Sequence, residues 1–98
     1  MTFNPPLDQV QNTIRTQCSE IAEMLCEKNE AYGNAVCSPI AIFSKASPIE
    51  QIKIRIDDKL ARIQRSDANA LGEDAVFDMI GYLILYRTYN KLLQEEEC

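Results

Sequence analysis

The chain predicts an all-α fold: three main helices forming a helical bundle, with the core completed by oligomerisation. Two observations point to the helices. Apolar residues recur at three- and four-residue spacing in three separate windows, and residues that start or stop helices stand between those windows. A third observation points to the oligomer. The last window, Val76 to Leu93, is apolar on nearly every side, and a helix of that kind must be enclosed by more surface than the rest of 98 residues can offer.

Residues 1–6 end in Pro5 and Pro6 and read as an extended lead-in. The first helix runs from about Leu7 or Asp8 to Asn29, with Val10, Ile14, Cys18, Ile21 and Leu25 forming its apolar stripe. Gly33 and Asn34 are its natural stop, because both tolerate the left-handed conformation found just past a helix end. The stretch YGNAVCSPIAIFSKASP then has turn residues at both ends around an apolar middle, Ile40 to Phe43, which reads as a short helix or an irregular packed loop. Ser47 followed by Pro48 is an N-cap with proline at the first helical position, opening a second helix to about Arg65. Its core face is Ile49, Ile52, Ile56, Leu60 and Ile63. SDANALG is a linker, and Glu73 or Asp74 starts a third helix reaching about Gln94. Gly81, one turn from Phe77 and Leu85, permits close approach of a neighbouring helix. QEEEC reads as a solvated, disordered tail, and at 98 residues the chain is expected to form a single helical domain, 1–98.

Composition narrows the function classes. No apolar run approaches the roughly 18 residues that cross a bilayer, so no membrane role is expected, and the N-terminus lacks the pattern of a secretory signal, so the expected compartment is the cytoplasm. In that compartment Cys18, Cys26, Cys37 and Cys98 are expected to be free thiols, with Cys18 behaving as a small core hydrophobe. The chain has no His, which removes Cys-His and Ser-His-Asp arrangements and the usual zinc ligand set.

Charge is distributed unevenly about a net of −5. Residues 49–65 hold 5 bases and 3 acids, a basic island between two acidic flanks. An acidic chain with one basic cluster suits a small anion better than a duplex nucleic acid, which needs a broad cationic surface. Within EQIKIRIDDKLARIQR, Arg55, Lys59 and Arg62 share one flank of the second helix. They are candidates to hold phosphate oxygens, with Asp57 and Asp58 orienting them or accepting from a base edge. The competing reading is a charged solvated face.

Two sets of carboxylates offer a different chemistry. Glu20, Glu23, Glu27 and Glu30 lie along the flank and back of the first helix, and Asp74 and Asp78 stand one turn apart at the start of the third. If those helices meet, Glu23, Glu27, Asp74 and Asp78 could converge on Mg2+, a hard cation that takes oxygen ligands. Asp78, on an otherwise apolar helix, must find a partner, for which Lys28, Lys59 and Arg62 are candidates.

KNEAYGNA, RIDDKLARI and EDAVFDMIGYLILYR together resemble a group of small phage-encoded helical proteins with the pattern K-N-x-x-Y-G, R-I-D-D-K-L-x-R-I, E-D-x-x-x-D-x-I-G-Y. These are similar in turn to nucleotide-modification-associated domains and, more distantly, to all-α MazG-like NTP pyrophosphatases. The resemblance spans about residues 28–87. It implies nucleotide binding, and in the MazG-like case a magnesium-dependent pyrophosphatase using ExxE and ExxD pairs. Here the later pair departs from that pattern, since Asp74 and Asp78 are four residues apart. The resemblance also suggests a small oligomeric sponge, a dimer or dimer of dimers, that sequesters a nucleotide or cyclic nucleotide of host defence without cleaving it. In that role Arg55, Lys59 and Arg62 meet phosphates, Tyr32, Gly33, Asn34 and Phe43 enclose a base, Tyr82, Tyr86 and Tyr89 are further rings on which a base could stack, and Asp57 or Asp58 accept from the base edge or lock the basic side chains. A helical protein-interaction module is the remaining alternative.

Overall fold

The computed structural model describes residues 2–65 and 74–95, which form three helices and no strand: α1 (Leu7–Ala31), α2 (Pro48–Gln64) and α3 (Ala75–Gln94). Local capping chemistry explains where each begins and ends. Ser47 caps α2 by accepting a hydrogen bond from the Glu50 amide at 3.2 Å, with Pro48 in the first turn. Asp74 caps α3 by accepting from the Phe77 amide at 3.0 Å. Replacing Asp74 with Ala is therefore expected to cost about 1 kcal/mol, read as a lower midpoint in chemical denaturation.

At the other end of α1 the chain leaves the helix through two consecutive left-handed residues, Gly33 (φ 65°) and Asn34 (φ 64°). Asn29 then pins the outgoing loop to the helix. Its Nδ2 donates to the Asn34 side-chain oxygen at 3.0 Å, and its Oδ1 accepts from the Val36 amide at 3.3 Å.

The packing is an open arrangement in which α3 is the shared element. It lies along α2 and also touches α1, whereas α1 and α2 do not pack directly on each other. The α1 contact falls at Gly81, as its spacing predicts: a Cβ there would stand 3.2 Å from Leu25 Cδ2 and 3.4 Å from Met24 Cε. Only Ile21 (4% exposed), Ile52 (7%) and Ala75 (0%) are buried hydrophobic residues among those described. Of the predicted stripe of α2, Ile52 is buried and Ile49, Ile56 and Ile63 are half-buried, whereas Leu60 is exposed and its neighbour Lys59 is half-buried instead.

Three expectations are corrected. Cys18 is exposed rather than in the core, because α1 meets α3 only over its C-terminal half. Cys37 is disulfide-bonded, so the four cysteines are not all free thiols as the expected compartment implied. Ile40, Ile42 and Phe43 form neither a helix nor a packed loop; the segment is irregular, with Ala41 at φ 55° and Phe43 fully exposed. The linker 66–72, Glu73 and the tail residues 96–98 lie outside the described residues. Among the described residues no helix is long and apolar enough to cross a membrane.

Candidate functional site

The missing contact between α1 and α2 leaves a gap, and that gap is the main cavity, about 440 Å³ in volume. Helical periodicity gives each wall its stripe. From α1 come Leu25 and Lys28, and one turn later Tyr32 in the connector; from α2 come Ile52, Arg55 and Lys59; from α3 come Asp78, Tyr82 and Leu85 as the floor. Gln51 lines the α2 side and is held in place by donating its side-chain amide to the Ala46 carbonyl at 2.9 Å.

The volume falls within the range of about 300–1,000 Å³ typical of small-molecule sites, and the lining combines apolar walls with a few convergent polar groups. Three bases, Lys28, Arg55 and Lys59, face one acid, Asp78, which gives the cavity a formal charge of +2. Lys59 Nζ stands 3.5 Å from Asp78 Oδ2, with the two side chains 15% and 25% exposed. This pair crosses from α2 to α3 and answers the need of Asp78 for a partner on an apolar helix. It fixes Lys59 at the cavity floor. Lys28 on α1 and Arg55 on α2 line the same cavity, both exposed.

Of the residues the sequence nominates, the structure brings Tyr32, Arg55 and Lys59 together around this cavity. Gly33, Asn34, Phe43, Asp57, Asp58 and Arg62 are not among its lining residues. Gly33 and Asn34 shape the turn that presents Tyr32, and the Asn34 side chain is engaged by Asn29. Phe43 projects into solvent beside a shallow apolar depression formed with Ile40 and Ile42. Asp57 and Asp58 turn away around α2, and Arg62 shares the flank of Arg55 but lies about two turns farther along the helix.

The magnesium set fares differently. Asp78 is bound up with Lys59, and the carboxylate of Asp74 serves as the cap of α3. Among the described residues no group of three or more acidic or cysteine side chains is placed to hold a metal ion, so Glu23, Glu27, Asp74 and Asp78 do not form one cluster.

Lys28 and Gln51 are site residues that the phosphate-and-base assignment misses, and of the further stacking rings Tyr82, Tyr86 and Tyr89 only Tyr82 is among the lining residues. Lys28 carried a signal, a basic residue on the apolar face of an amphipathic helix three residues after Leu25 and four before Tyr32. Nothing in the sequence sets Tyr82 apart from Tyr86 and Tyr89. A search of family models, of curated proteins and of solved structures found no match to this chain.

Proposed function

We propose that this protein binds a nucleotide in the cavity between α1 and α2 and holds it without cleaving it. The single observation that carries this reading is the convergence of Lys28, Arg55 and Lys59 with the rings of Tyr32 and Tyr82 on one cavity. The bases supply charge-assisted hydrogen bonds to phosphate oxygens. A tyrosine ring offers a face on which a nucleobase stacks, worth about 1–3 kcal/mol per base. Asp78 orients Lys59, and the lining as a whole keeps net positive charge for the ligand. Retention rather than hydrolysis is supported by the engagement of Asp74 in capping and of Asp78 with Lys59, which spreads the carboxylates that a magnesium-dependent reaction would use.

In the fuller form of this proposal the ligand is a cyclic-nucleotide signal, and the protein is a phage-type homo-oligomer that sequesters it in the host cytoplasm, the role toward which the sequence resemblance points. In that compartment the Cys37 disulfide would open to a thiol.

The test is a thermal-shift panel of the full chain with cyclic di- and trinucleotides, ADP-ribose derivatives and NTPs, with and without Mg2+, followed by chromatography of the recovered ligand. A shift independent of magnesium with intact ligand is the expected result. Conversion of an NTP to its monophosphate, abolished by Asp78→Asn, would replace it with a MazG-like pyrophosphatase. No shift with any of these ligands would leave the protein-interaction module.

A further inference from the structure

The N-terminal half of α1 packs on nothing within its own chain. From Leu7 to Glu20 every residue is exposed, yet Leu7 (73% exposed), Val10 and Ile14 (56%) continue the stripe that becomes buried at Ile21. Leu7, Val10, Ile14, Ile21 and Met24 fall at the a and d positions of successive heptads, with Gln17 the one polar interruption, between Ile14 and Ile21. The stripe is therefore continuous with a packed interface and simply outruns α3.

Area argues for a large partner. The chain exposes 7707 Å² of accessible surface where a compact monomer of 11.1 kDa exposes about 5,700 Å². Its radius of gyration is 16.1 Å, against about 13 Å for a compact chain of this length. The excess of about 2,000 Å², shared between the connectors and the uncovered helix faces, is larger than the roughly 800 Å² each partner covers in a standard interface.

We propose that this segment is a self-association surface whose occupant is the same segment of a second copy, in antiparallel orientation. Residues 7–17 carry one acid and one base, Asp8 and Arg15, so no block of like charge opposes pairing. A two-fold centred near Asn12 sets Val10 of each copy against Ile14 of the other. Orientation follows from α3, which already covers the stripe from Ile21 onward. Two parallel α1 helices would each run into the α3 of the other copy, whereas antiparallel helices bring α1 of one copy end to end with α3 of the other along a common stripe.

The experiment is sedimentation equilibrium of the full chain over about 1–200 μM. A mass about twice 11.1 kDa is expected for the wild type and for Ile54→Asp, an exposed control on α2. Ile14→Asp is expected to sediment as a monomer with its helical circular dichroism kept. A monomeric wild type throughout this range, or a dimer that survives Ile14→Asp, overturns the proposal. Mild oxidation supplies a second readout that does not depend on the folding of Ile14→Asp. Antiparallel pairing places residue 11 of the two copies about 3 Å apart along the axis and residue 18 about 18 Å apart. Gln11→Cys in a Cys18→Ser, Cys26→Ser background is thus expected to cross-link to its counterpart. Rapid Cys18 to Cys18 cross-linking in the Cys26→Ser protein would overturn the antiparallel order.

Discussion

Ile52→Ala is expected to lower the stability of the protein by about 2–4 kcal/mol and its melting temperature by about 10–20 °C. Ile52 is one of only three buried hydrophobic residues among those described, and it stands on α2 where that helix faces α3. Removing three methyl or methylene groups there forfeits their transfer free energy and leaves a void that packed helices fill only in part. A chain of this length has a total stability of roughly 5–15 kcal/mol, so the loss takes a large share of it. The control is Ile54→Ala two residues away, where the side chain faces solvent and the change is expected to stay within about 0.5 kcal/mol. Thermal melts of the two variants side by side decide the matter. Equal shifts would mean that α2 packs with a different face inward.

The second large effect concerns ligand rather than stability. Arg55→Ala is expected to weaken nucleotide binding about ten- to a hundred-fold, the loss of one or two charge-assisted hydrogen bonds, and Arg55→Glu to take binding below detection. Arg55 is exposed at the cavity wall, so its replacement removes the proposed phosphate contact without opening the core. Arg87→Ala, on α3 and outside the cavity lining, is expected to bind as the wild type does. Calorimetric titration of the three variants at two salt concentrations gives a second handle, because affinity resting on exposed charges falls as screening increases. Unchanged affinity in Arg55→Glu would remove the ligand from this cavity.

The helices were legible in the sequence to within a residue or two because their ends are decided locally. Ser47 and Pro48, Asp74, and the Gly33-Asn34 pair each act on amides or backbone angles no more than a turn away. What the sequence left open is which faces meet, since that depends on contacts between distant segments. Leu60 and Lys59 are neighbours on α2, and only the position of α3 decides that Lys59 turns inward to Asp78 while Leu60 stays out. Periodicity likewise marked Cys18 as a core position, because a stripe records that a face is apolar and not how far its partner extends. The cavity was half legible. Arg55, Lys59 and Tyr32 follow from the basic flank and the turn, but Lys28 and Tyr82 join them only through the crossing of α1 and α3 at Gly81. The disulfide at Cys37 had no local signal at all.

The open side of the three-helix arrangement has a consequence for motion. With α1 and α2 each held by α3 and not by each other, the amides of α1 are protected from exchange mainly by its short contact near Gly81. A molecule seated between Lys28 and Arg55 supplies the third side of the triangle. Binding of the proposed ligand is then expected to order α1, slowing hydrogen exchange along it as far from the cavity as Ile21 while α2 and α3 change little.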